Sequence, residues 1–307
     1  PTFSMRSSPQ VCVLYIYVLI YIFPKNSQKY EIYHKKETIF VGIKLKRMKK
    51  LLLSLLLLAA GIIVYAQDGA YESAVFTSSD GKELNYRLLR PSEDAKGRKF
   101  PLVVFMHGAG ERGSDNESQL IHGSQMFLNP ANRDEYPAYV IFPQCPSDEY
   151  WAFLGRPASF PDLKAEDSIT PVLKAVKELI DSYVERPDVD RSRVYILGLS
   201  MGGMATFDLV SRYPELFAAA IPICGAADTE RLADVKGVAF RIYHGDADNT
   251  VPVECSRKAY RVLKDAGVKV EYFEFPGCGH LSWNPAFSQP DFMEWLFKQK
   301  KSRKYLK

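Results

Sequence analysis

Five stretches of this 307-residue chain are apolar almost throughout: 101–106, 139–142, 194–199, 217–224 and 238–243. A strand exposed on one face alternates apolar and polar residues, whereas a strand covered on both faces reads as a continuous apolar run. Between these runs lie segments with helical spacing. Ile169, Val172, Leu173, Val176, Leu179, Ile180 and Tyr183 predict a helix within 163–184. Further helices are expected over 201–213, stopped by Pro214, over 253–266, stopped by Gly267, and over 287–298 at the close. An opening hairpin is expected from 74–77 and 84–89 around Asp80-Gly81, and a last strand from 268–275. Strands alternating with helices give an α/β chain, with a mostly parallel, twisted sheet of about eight strands and helices on both faces. Such sheets bind ligands beyond the carboxyl ends of their strands.

The amino-terminal part reads differently. Val11–Phe23 is an apolar run too short for a bilayer span, and 24–47 is basic and irregular. Residues 1–47 are expected to be an upstream leader outside the fold, with Met48 as the start. Lys49-Lys50, the apolar 51–64 stretch and Val64-Tyr65-Ala66 before Gln67 form the three parts of a secretory signal peptide over 48–66. The expected product is a secreted or periplasmic single catalytic domain, 67–307. Residues 1–66 hold 10 Lys and Arg against 2 Asp and Glu, so the chain's net +4 becomes −4 beyond Ala66, with 30 basic and 34 acidic residues. With that negative balance nucleic acid is not expected as a partner, and no membrane is expected after signal cleavage. Cys145, Cys224, Cys255 and Cys278 match no zinc spacing. Export permits disulfides, and Cys255–Cys278 is the expected pair, with free buried thiols the alternative.

Chemistry is concentrated in four loops. Gly198-Leu199-Ser200-Met201-Gly202-Gly203 follows a strand and opens a helix, the context in which G-x-S-x-G presents a nucleophilic serine. Ser200 needs a base. Of the histidines beyond Ala66, His280 lies in the Gly-rich loop after the last strand, His107 and His244 each end a strand and are expected to shape loops, and His122 falls in an expected helix without a role. The loop 244–252 offers two acids to orient the base, Asp246 and Asp248. Asp246 is the better placed to close the turn on its own backbone. An oxyanion hole needs two N–H donors, expected from Met201 and from Ala109 in the loop 107–113.

The segments HGAGERG, GLSMGG, HGDADNTVP and GCGH, in this order, resemble the phospholipase/carboxylesterase and dienelactone-hydrolase group of the α/β-hydrolase superfamily. More narrowly, the chain is similar to secreted esterases related to carbohydrate esterase family 1, often labelled predicted peptidases of prolyl-oligopeptidase-like type. The resemblance covers roughly 71–298 and implies the α/β-hydrolase fold. Spacing together with the resemblance selects Asp248 as the orienting acid. The thiol at Cys278 departs from the pattern. Trp151 and Trp283 flank the expected site and are expected to form an aromatic wall for substrate, with ordinary core packing the alternative. Glu111 and Arg112 are expected to pair within their loop.

The resulting expectation is a serine esterase with Ser200, Asp248 and His280 as triad, needing no cofactor and no metal. Its substrates are small or polysaccharide-linked esters, with feruloyl or acetyl groups on plant polysaccharides as the narrow reading. A serine peptidase and a non-catalytic glycan-binding protein are the alternatives. No gating domain favours the first, and no missing triad member favours the second.

Overall fold

The computed structural model describes residues 70–92, 97–152, 160 and 163–305, all within a compact unit spanning Tyr65–Lys307. The expected leader and signal peptide lie outside the described residues. Eight strands form one sheet: β1 Glu72–Thr77, β2 Glu83–Leu89, β3 Phe100–Met106, β4 Tyr139–Pro143, β5 Val189–Leu199, β6 Ala219–Ile223, β7 Ala239–Gly245 and β8 Val270–Phe275, in the order β1-β2-β4-β3-β5-β6-β7-β8. The β1–β2 and β2–β4 pairs are antiparallel, and every pair from β4 onward is parallel.

The sheet's two faces divide β3 by strict alternation. Leu102, Val104 and Met106 enter one core and Val103 and Phe105 the other, all fully buried. This two-sided burial is why the strand shows no polar face in the sequence. The helices, in chain order, are α1 Ser124–Leu128, α2 Pro130–Glu135, α3 Pro171–Val184, α4 Met201–Arg212, α5 Thr229–Leu232, α6 Glu254–Asp265, α7 Trp283–Phe287 and α8 Phe292–Lys298. Apolar residues of α3, α4 and α6 join the Leu102 side, and those of α7 and α8 the Val103 side.

Two helix boundaries differ from expectation. Helix α3 begins at Pro171 rather than near Leu163, because Thr170 caps it by accepting the Leu173 N–H at 3.2 Å and Pro171 occupies the first turn. The single closing helix is two, α7 and α8, interrupted around Gln289-Pro290. Proline lacks the N–H that would continue the ladder, and it disfavours helical geometry in the residue before it.

The parallel strands β3, β5, β6, β7 and β8 all point the same way, so the loops after them meet at one edge. Those loops hold 107–113, Ser200, Cys224, 246–252 and 276–282. The Gly245 position locks two of them together. A Cβ there would lie 2.1 Å from the Cys278 carbonyl oxygen, so only glycine lets the acid loop and the base loop pack backbone to backbone.

Candidate active site

Ser200 stands between the end of β5 and the first residue of α4, with φ 54° and ψ −118°. This is a strained conformation for a residue with a Cβ, typically costing about 1–3 kcal/mol. The surroundings impose it: the Ser200 N–H donates to the Ile223 carbonyl at 2.9 Å, and its own carbonyl accepts from Met204 at 3.0 Å. Gly202 makes the sharp turn possible, since a Cβ there would sit 2.0 Å from the Met106 carbonyl oxygen of β3. Sharp turn and close packing together lift the serine hydroxyl off the sheet edge.

The His280 ring bridges Ser200 and Asp248. Its Nε2 lies 2.9 Å from Ser200 Oγ and its Nδ1 2.7 Å from Asp248 Oδ2. A carboxylate only accepts, so Nδ1 carries the proton and Nε2 is left to accept from the serine. Asp248 is itself clamped. Its Oδ1 accepts from the N–H groups of Thr250 at 2.8 Å and Val251 at 2.9 Å, and its Oδ2 stands 3.3 Å from His244 Nε2. Burial acts to raise the Asp248 carboxyl, but the bonds from His244, His280, Val251 and Thr250 outweigh it and hold it well below the usual carboxylate range. These bonds favour the ionised form of Asp248.

The other two strand-end histidines shape loops. His107 accepts from the Cys145 N–H at 2.9 Å and donates Nδ1–H to the Gly108 carbonyl at 2.6 Å, and burial pushes it down to about 4. Fully buried His244 sits 2.7 Å from Ser256 Oγ and 2.9 Å from the Val251 carbonyl, joining α6 to the acid loop. Asp246 does not close its own turn as expected. It reaches across to accept the Gly277 N–H at 2.6 Å, tying the acid loop to the base loop.

The two expected oxyanion donors are the first residues of helical turns: Met201 opens α4, and Ala109 opens a 3-10 turn at 109–111. The first N–H groups of a helix have no partner within it, so both are available to an incoming oxygen.

Several expectations around the site need correction. The four cysteines beyond Ala66 are free thiols, so no Cys255–Cys278 disulfide forms. Trp151 is fully buried, with its indole N–H on the His107 carbonyl at 3.1 Å. It is a core residue rather than a substrate wall. Trp283 is only 7% exposed and lies between two imidazoles, His280 at 5.6 Å and His122 at 5.2 Å. It backs the site without presenting a face to substrate. Arg112 turns from Glu111 to the carbonyls of Ala109 and Glu149 and stacks 4.4 Å over Tyr150. Glu111 instead faces His122, Oε1 to Nε2 at 3.6 Å, and His122 lies in a turn rather than a helix.

Cys224 is a site neighbour that sequence reading passed over. It follows β6, the strand beside β5, with φ 39°. Its thiol, the Asp248 carboxylate and the His280 ring lie within 4.8 Å of one another. Burial pushes the thiol up to about 12, and both imidazole nitrogens are engaged. A cavity of about 420 Å³ is lined by Phe100, Tyr136, Arg193, Glu294 and Phe297 and includes none of Ser200, Asp248 and His280.

A family model described as phospholipase/carboxylesterase matches residues 93–291. The chain is 28% identical over 227 residues to a probable carboxylesterase, SOBER1-like, of Arabidopsis thaliana, covering 68% of this chain and 81% of that protein. It is 27% identical over 143 residues to feruloyl esterase B of Neurospora crassa, covering 47% of this chain and 45% of that one. Among solved structures it resembles a thermostable esterase at 36% identity and a TM-score of 0.70, covering 76% of this chain and 64% of that structure's chain.

Proposed function

The chain belongs to the phospholipase/carboxylesterase family and is a serine hydrolase acting on carboxylic esters, and we propose that it is exported and cleaves its substrates through Ser200, His280 and Asp248. The observation that carries this reading is the unbroken chain of contacts from Ser200 Oγ through the His280 ring to the clamped Asp248 carboxylate, 2.9 Å and 2.7 Å in turn.

In the proposed mechanism, Ser200 attacks the ester carbonyl while His280 Nε2 takes its proton. The Asp248 anion holds the ring in the accepting tautomer and stabilises the imidazolium that forms. The N–H groups of Ala109 and Met201 receive the developing oxyanion. His280 then returns the proton to the leaving alcohol oxygen, and water activated by the same ring hydrolyses the acyl-enzyme. Asp246 and His244 act on the positions of the loops.

The substrates we propose are feruloyl or acetyl esters on plant polysaccharides. Likeness to a protein named feruloyl esterase B supports the acyl class, and the signal-peptide pattern at 48–66 supports action outside the cell. The test is a side-by-side measurement of kcat/KM on p-nitrophenyl acetate, methyl ferulate and acetylated xylan. Turnover of p-nitrophenyl acetate with none of ferulate or xylan would leave an esterase and refute the polysaccharide reading.

A further inference from the structure

Arg112 does not pair with Glu111; the fold turns it onto the loop 107–113, which carries Ala109. That loop is laid against the serine turn. A Cβ at Gly108 would lie 2.8 Å from the Leu199 side chain and 3.7 Å from the Leu199 carbonyl oxygen, and a Cβ at Gly202 would lie 2.7 Å from the His107 carbonyl oxygen. The peptide joining Gly108 to Ala109 therefore runs beside the residue that precedes Ser200. How well the Ala109 N–H serves an oxyanion depends on its direction, because a donor already in place stabilises developing charge without having to move.

The direction of an N–H is set by the peptide plane that carries it. In a trans peptide the C=O and N–H bonds point opposite ways, so holding the Gly108 carbonyl aims the Ala109 N–H. His107 holds that carbonyl through Nδ1–H at 2.6 Å, and the Cys145 N–H fixes the tautomer by donating to Nε2 at 2.9 Å. The next plane is held separately: Arg112 Nε–H donates to the Ala109 carbonyl at 3.0 Å. With the planes on both sides of Ala109 tied down, neither of its torsions is free. The tie matters here because Gly108 and Gly110 flank Ala109, and glycine has the widest choice of backbone conformation. Arg112 is itself anchored outside the loop. Its NH1 group donates to the Glu149 carbonyl at 3.1 Å, and its guanidinium stacks 4.4 Å over the Tyr150 ring. Two divergent N–H bonds and a stacked plane are features of arginine that lysine does not reproduce.

We propose that Arg112 is a positioning residue of the oxyanion hole: it ties the Ala109 carbonyl to the 149–150 segment and so keeps the Ala109 N–H aimed at the developing oxyanion. The inference rests on the reading of Ala109 as an oxyanion donor in the proposed mechanism.

The test is a double-mutant cycle on p-nitrophenyl acetate, with kcat and KM read separately and active sites counted by fluorophosphonate labelling carried to completion. Ala109→Pro removes the N–H itself. The position accepts proline, since Ala109 opens its turn and Gly108 is extended at φ −78° and ψ −178°. This variant should lose about a hundredfold or more in kcat. Arg112→Ala should lose about tenfold in kcat, the scale of one hydrogen bond, with KM within about twofold of native. Arg112→Lys, which keeps the charge and one donor, should recover part of the loss. In the Ala109→Pro background, Arg112→Ala should cost less than about twofold more, because the group it positions is gone. A full tenfold loss in that background, an unchanged kcat in Arg112→Ala, or a loss confined to KM overturns the positioning role. An unchanged kcat in Ala109→Pro overturns Ala109 as a donor, and with it the reading on which the inference rests.

Discussion

Replacing Asp248 by asparagine tests the orientation of the base. The substitution keeps size and shape, so its effect is decided by which atoms face which partners. Oδ1 of Asp248 receives two backbone N–H groups, from Thr250 and Val251, and Oδ2 receives the His280 Nδ1–H. An asparagine has one oxygen, and the two N–H donors claim it. The amide NH2 must then face Nδ1, which can receive it only by giving up its own proton. His280 turns to the tautomer with Nε2–H, and a donor confronts the Ser200 hydroxyl where an acceptor is needed. Loss of about 10⁴ in kcat is expected, equivalent to about 5.5 kcal/mol of barrier. Stability should change little, because both backbone bonds survive. Asp246→Asn leaves an amide oxygen for the Gly277 N–H, so it should keep turnover within about tenfold and cost on the order of 1 kcal/mol of stability. The assay is kcat on p-nitrophenyl acetate alongside urea unfolding of each variant. Near-native turnover in Asp248→Asn with an inactive Asp246→Asn would refute the reasoning.

Further outcomes follow from the same contacts. Burial depresses His107 to about 4, so the folded state binds its proton less readily than the unfolded chain. The associated stability is present in full above about pH 6.5 and is lost as pH falls toward 4, on the order of 3 kcal/mol in all. Urea midpoints across that range should fall more steeply for the native protein than for His107→Gln. Gly202→Ala should destabilise by several kcal/mol, because its Cβ would meet the Met106 carbonyl oxygen at 2.0 Å and neither backbone can give way. A thermal melt no lower than native would contradict that packing. A chain expressed from Met48 and exported should carry Gln67 as its first residue by intact mass, and a retained 51–64 stretch would contradict cleavage.

The strands were legible because burial on both faces leaves an apolar run that little else produces. Ser200 and His280 could be singled out because a serine at a strand-to-helix turn and a histidine in the last loop are local patterns. Choosing between Asp246 and Asp248 depended on which carboxylate points inward, and a two-residue spacing carries that only weakly. The pairing of Cys255 with Cys278 failed because neighbouring loops do not imply neighbouring thiols: Cys255 is buried on α6, while Cys278 lies in the partly exposed base loop. His122 was hidden for a topological reason. Its partners Glu111 and Trp283 come from the loop after β3 and the start of α7, which only the folded chain brings together. The signals at Pro171 and Pro290 were present in the sequence, but the apolar spacing around them outweighed the prolines.

The most direct test of the central assignment is covalent. A fluorophosphonate probe should modify the protein once, with loss of turnover in proportion to labelling, and peptide mass spectrometry should place the adduct on Ser200. Ser200→Ala should remain folded and unlabelled. An adduct on another residue, or turnover that persists in Ser200→Ala, would contradict the assignment of Ser200 as nucleophile.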